Sequence, residues 1–157
     1  MLNNRGAECA RLDAMLELAD RQTSERVRID YEQVYGELRA AGYTAVGEFH
    51  YLGFEQALAA AEAAAVAGIT FVLLYAAYAR GGLARFRQAS PAEYLNQVEN
   101  LRERGVQIGL APHSVRACPP QWLARIGSYA SEHELPLHVH ADEQPREIEE
   151  CIEEHGI

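Results

Sequence analysis

The chain has 157 residues, 48% of them hydrophobic, enough for one domain with a sizeable core. Its formal charge of −9 argues against non-specific binding to nucleic acid or to an anionic membrane, since neither surface attracts an acidic protein, and leaves a small molecule as the default partner. No apolar run is long enough to span a membrane, the N-terminus lacks an apolar targeting core, and Cys9, Cys118 and Cys151 are far apart with no C-x-x-C; these features predict a reducing, cytoplasmic setting with thiols used for packing.

In chain order, residues 7–20 place Leu12, Met15, Leu16 and Ala19 at helical spacing, and residues 31–41 do the same with Tyr31, Val34, Tyr35 and Leu38. The organisation read from this is an N-terminal helical segment over 1–30 and a βα domain over 31–157. Gly42 stops the second helix and Tyr43–Phe49 follows as a buried strand, with His50 and Tyr51 at its carboxyl end. An alanine-rich helix over 54–67 ends at Gly68 and leads into the strand Ile69–Tyr75. The stretch 76–89 is a loop long enough to carry function. Ser90-Pro91-Ala92-Glu93 has the N-cap, first-turn proline and capping-box glutamate that start a helix, which is expected to run to about Arg104. Gly105 closes it, Val106–Ala111 is the third strand, and His113 and Arg116 lie just beyond. Pro119-Pro120 opens a helix to about His133, Pro136–His140 is the fourth strand, and a last helix runs from Pro145 to His155. The acidic residues at this end, Glu147, Glu149, Glu150, Glu153 and Glu154, are expected to form a solvated face.

Strands starting at residues 43, 69, 106 and 136, each separated by a helix, imply right-handed crossovers and a parallel sheet. The polar clusters Glu48/His50/Tyr51, His113/Arg116 and His138/His140/Glu143 all fall at strand carboxyl ends, where a (β/α) barrel builds its active site. A closed barrel takes eight strands in about 250 residues, so about four βα units predict a partial TIM-type barrel. In the last strand, His138 and His140 share one face while Leu137 and Val139 take the other. An imidazole there suits Zn²⁺, and a carboxylate at Glu143 suits proton transfer to and from a water molecule.

The stretches Ala41–Tyr51 (AGYTAVGEFHY), His113–Ala117 (HSVRA) and Leu137–Gln144 (LHVHADEQ) together resemble the formimidoylglutamate deiminases of the amidohydrolase superfamily. The likeness runs from about Tyr31 to the end. It implies a metal-dependent hydrolase that cleaves the formimino C–N bond of N-formimidoyl-L-glutamate, giving N-formyl-L-glutamate and ammonia in histidine degradation. The resemblance makes His140 a zinc ligand, Glu143 the acid/base, and Tyr51, His113 and Arg116 substrate-binding residues. A guanidinium suits the last role, because it grips a carboxylate bidentately.

The family's first-strand H-x-H, a later histidine and an aspartate ligand have no counterpart here, whereas a catalytic zinc takes about three protein ligands. The expectation is therefore an internal piece of a longer gene or a truncated relative, inactive alone and self-associating through its open strand edges as a homo-oligomer. Two other readings stand beside it. One is a deaminase or chlorohydrolase of the same superfamily acting on a neutral ring, for which Arg116 would have no purpose. The other is a non-catalytic, self-associating fragment.

Overall fold

The structure, a computed structural model, describes residues 14–143 and 145–156. Residues 14–20 are helical, and the rest of the segment read as helix over 7–20 lies outside the described residues. Helix α1 (Ser24–Ala40) begins earlier than the apolar spacing predicts, because Thr23 caps it and Arg28 pairs with both Glu25 and Glu32 at helical spacing. In these first turns Val27 alone faces the core, among the charged residues Glu25, Arg26, Arg28 and Asp30, and a single buried residue is too little for a periodicity reading to extend the helix. The helix runs across residue 30.

The order continues with β1 (Ala45–His50), α2 (Phe54–Ala67), β2 (Thr70–Ala77), a short 3₁₀ turn (Ala84–Phe86), α3 (Pro91–Glu103), β3 (Ile108–Pro112), α4 (Pro120–Glu132) and α5 (Pro145–His155). Alanine at positions 57, 59, 60, 63 and 64 gives α2 a flat buried surface, on which Val27 and Tyr35 of α1 settle. Gly68 ends α2 at φ 66°, a left-handed conformation that a Cβ would penalise. At α3 the predicted cap is realised: the Ser90 hydroxyl accepts from the Glu93 amide at 3.1 Å, and the Glu93 carboxylate accepts from the Ala89 amide at 2.6 Å. No described helix is long and apolar enough to cross a membrane.

The strands form a parallel sheet in the order β1-β2-β3, with His50 opposite Tyr75 and Tyr75 opposite Leu110. The helices cover one face. There Leu73, Tyr75, Ile108 and Leu110 pack against Tyr94, Val98 and Leu101 of α3 and Trp122 and Ile126 of α4. Tyr94 also ties two strands together, its hydroxyl donating to the Tyr75 carbonyl at 2.8 Å and accepting from the Ala111 amide at 3.3 Å.

The fourth strand read over 136–140 is only partly realised. It lies parallel to β3 through one bridge, Leu110 to Leu137, with the Leu110 amide donating to Pro136 and the His138 amide donating to Leu110. Regular pairing stops there, since the His140 amide turns to the His113 carbonyl at 2.8 Å. The whole is part of a (β/α) barrel, with three full strands and a fourth on its rim.

Gly109 lets that fourth segment approach. A Cβ at this position would meet Leu74 Cδ2 at 2.8 Å and the Pro136 carbonyl oxygen at 3.2 Å. Gly109→Ala is expected to cost about 1–3 kcal/mol through overpacking. It should also speed hydrogen exchange at the His138 amide, which amide exchange by NMR would record. An unchanged rate with unchanged stability would mean that Leu74 alone absorbs the methyl group.

Candidate active site

Strand alternation sends the residues at the end of β1 to opposite walls. Glu48 and His50 turn toward the helices. His50 is 1% exposed and stacks on Tyr75, its Nδ1 lies 2.9 Å from Glu48 Oε1, and the other Glu48 oxygen accepts from the Tyr35 hydroxyl of α1. The cluster Glu48/His50/Tyr51 is thus split, because neighbours in a strand do not share a face. Only Tyr51 joins the candidate site.

Phe49 and Tyr51 line the other wall, where the fourth segment delivers His138 and His140 on one side as its alternation predicts. The Phe49 ring centroid lies 6.1 Å from that of His138 and 4.6 Å from that of His140. The Tyr51 hydroxyl is 3.1 Å from His140 Nε2. His113, just past β3, brings its ring to 4.8 Å from His140 and 5.9 Å from Tyr51, with Tyr78 packed on it at 4.6 Å. Phe49 and Tyr78 were missing from the sequence-derived set. Their signal was present for Phe49, which stands two residues before Tyr51.

Arg116 sits in the turn after β3, and that turn is pinned by Arg80, which donates to the Arg116 and Val115 carbonyls. Arg116 Nη2 donates to Glu143 Oε2 at 2.8 Å. Its Nε lies 3.7 Å from Glu147 Oε1. Glu147 corrects the expectation of a wholly solvated acidic face: it is 3% exposed, and its Oε2 accepts from the Glu143 amide at 2.8 Å. The reason is its place in the third position of a helix opened by Pro145, where a glutamate reaches back to amides ahead of the helix. Glu150 and Glu154 instead pair with Arg146 and Arg80 at or near the surface.

Electrostatics keep the aromatic side of this cluster neutral. Burial, with the Glu143 charge second, pushes the Tyr51 phenol up to about 12, so it remains a protonated donor facing His140. Burial, then the neighbouring His140 and Arg116, pulls the His113 imidazole down to about 4. Because the folded value lies below the ordinary 6.5, the unfolded chain binds the extra proton between the two, and stability should fall as pH drops from about 6.5 to about 4. An NMR titration of the metal-free chain should find His113 still neutral at pH 5.5. A midpoint near 6.5 would show that the ring is solvated.

Tyr51, His113, Arg116, His140 and Glu143 are therefore brought together in one place. They do not amount to a metal centre. Among the described residues no three His, Cys, Asp or Glu side chains converge as a cation site, and His140 Nε2 already meets a phenol. His50 is committed to Glu48 on the far face of the sheet. The described residues do not by themselves fit a zinc ion.

The Amidohydrolase family matches residues 2–157 of the chain. Formimidoylglutamate deiminase of Pseudomonas aeruginosa is 33% identical over 163 residues, covering 88% of this chain and 36% of that protein. A 5-methylthioadenosine/S-adenosylhomocysteine deaminase of Desulfovibrio desulfuricans is 30% identical, covering 85% of this chain and 30% of its own length. Among solved structures, an amidohydrolase from Brucella melitensis superposes with a TM-score of 0.86 at 29% identity, over 99% of this chain and 40% of that one. An atrazine chlorohydrolase from Arthrobacter aurescens, complexed with zinc and atraton, gives a TM-score of 0.80 at 19% identity over 96% of this chain and 37% of that one. This chain spans about a third of the length of the curated relatives it matches. The likeness covers the whole fold described above, and the family match runs through every residue of the cluster: the chain belongs to the amidohydrolase family.

Proposed function

We propose that this chain is the substrate-gripping and proton-transferring part of a hydrolase that cleaves the formimino C–N bond of N-formimidoyl-L-glutamate. The observation that carries this reading is the Arg116–Glu143 pair at 2.8 Å beside Tyr51, His113 and His140. A guanidinium and a carboxylic acid/base placed side by side suit a substrate with a carboxylate at one end and a C–N bond to hydrolyse at the other. Zn²⁺ belongs to this reading as a family trait only; His140 is the one residue here that the resemblance makes a ligand, and it would serve as one only through a ring nitrogen not taken by Tyr51. The roles of the chain's own groups follow from their chemistry. Arg116 holds the carboxylate through two parallel N–H donors. Tyr51 orients His140 through its hydroxyl, and neutral His113 offers a ring nitrogen to the substrate. Glu143 carries one proton from the attacking water to the imino nitrogen and then the second from the resulting hydroxyl to the same nitrogen, which leaves as ammonia as the C–N bond breaks and the C=O bond forms.

A ring substrate is the second reading, favoured by the aromatic wall of Phe49, Tyr51 and Tyr78 around His113. A chimera separates the two, with residues 31–156 of this chain replacing the matching part of the Pseudomonas aeruginosa deiminase. Ammonia release from N-formimidoyl-L-glutamate is expected, while the unextended chain should release none. Release from 5-methylthioadenosine alone would transfer the proposal to the ring reading.

A further inference from the structure

Glu147 is the buried carboxylate that the site just described leaves without a role. It is 3% exposed, and its two oxygens face different parts of the cluster. Oε2 accepts from the Glu143 backbone amide at 2.8 Å. Among the described residues Oε1 is buried without a hydrogen-bond partner, and it lies 3.7 Å from Arg116 Nε, which is likewise buried and unpartnered among them. Helix capping explains the first oxygen only. A carboxylate kept for capping alone would leave its second oxygen to water, because an unpaired buried charge is costly.

We propose that Glu147 is a positioning residue that fixes Arg116 and Glu143 relative to one another. The proposal rests on the reading of Arg116 as the carboxylate-binding group and Glu143 as the acid/base. An arginine presents two edges to a carboxylate, one of Nε with an Nη and one of both Nη atoms. Glu147 lies beside Nε and Glu143 meets Nη2, the nitrogen shared by both edges, so the edge formed by the two Nη atoms is the one that Glu147 leaves to a ligand. The same side chain anchors the backbone of Glu143, so the binding fork and the proton carrier move as one unit. Without the charge at Glu147, Arg116 keeps Glu143 as its anionic partner and can rotate to offer either edge. An incoming carboxylate then has no fixed geometry to meet.

Two substitutions separate positioning from capping. Glu147→Gln keeps a carbonyl oxygen for the Glu143 amide and removes the charge facing Arg116, whereas Glu147→Ala removes both. On the full chain, NMR should show the Glu143 amide in Glu147→Gln exchanging within about threefold of wild type. The Arg116 Nε–H should exchange roughly tenfold faster or more in the same variant. Titration with glutarate, a plain dicarboxylate probe, should give about tenfold weaker binding to Glu147→Gln than to wild type. An Arg116 Nε–H signal unchanged in Glu147→Gln would overturn the proposal and leave Glu147 as a cap. If wild type fails to bind glutarate, the carboxylate-binding reading falls; the Arg116 signal still decides whether Glu147 orients the guanidinium.

Discussion

Tyr94→Ala is expected to remove about 3–5 kcal/mol of folding stability, the largest loss predicted for a single side chain here. The residue is fully buried, its ring stacks on Tyr75 at 5.7 Å, and its hydroxyl joins the Tyr75 carbonyl of β2 to the Ala111 amide of β3. Truncation therefore opens a cavity between α3 and the sheet and leaves a buried amide with one partner fewer. Native proteins are stable by only about 5–15 kcal/mol, so a loss of this size removes a large fraction of the total. Tyr94→Phe isolates the polar part and should cost about 1–2 kcal/mol. Urea denaturation would measure both, with a lower midpoint at unchanged slope. A loss under about 1 kcal/mol for the alanine variant would show that α3 collapses onto the sheet and that the hydroxyl bridge contributes little.

Arg116→Met, in the chimera with the Pseudomonas aeruginosa deiminase, is expected to lower kcat/KM by on the order of 2–4 kcal/mol, roughly 30- to 1,000-fold. Methionine keeps much of the length and apolar stem but loses every donor of the fork. Arg116→Lys keeps the charge without the planar pair of donors and should recover only part of the loss. The competing role is structural, since Arg116 joins the turn after β3 to Glu143 and to Glu147 of α5. Stability and kinetics measured on the same variants separate these roles. A change below about threefold in kcat/KM would assign the arginine to anchoring that turn.

Particular residues explain which parts of this arrangement were legible in the sequence. Ser90-Pro91 and Glu93 announced α3 because capping is local chemistry, and the glycines at 42, 68 and 105 marked helix ends because each lies at positive φ. Alternation alone placed His138 and His140 on a common wall. The same rule, applied to Glu48 and His50, sends them away from Tyr51, whereas proximity along the chain had grouped all of them together. The burial of Glu147 was hidden by its company, since glutamates at 149, 150, 153 and 154 suggest a solvated face while only one of the five meets the Arg116 guanidinium. The incomplete fourth strand was equally hidden. Strand propensity over 136–140 describes what a segment can pair with, and the pairing is cut short where the His140 amide turns to the His113 carbonyl, a tertiary contact that propensity does not contain.

Among the described residues the fourth segment pairs on one side, against β3. The amides of His138 and His140 reach Leu110 and His113, while Leu137 and Val139 stand 48% and 50% exposed on the intervening positions. One candidate residue, His140, thus rides on the least regularly paired strand of the sheet. Any local opening of the segment from β3 would carry His140 away from Tyr51. A local opening free energy of about 2 kcal/mol would leave it detached about 3% of the time, and one near zero would halve the apparent affinity of any ligand that requires His140 beside Tyr51. A strand added along the free edge would lengthen the docked interval without touching a single site residue, so completing the sheet and tightening the site are one event in this fold.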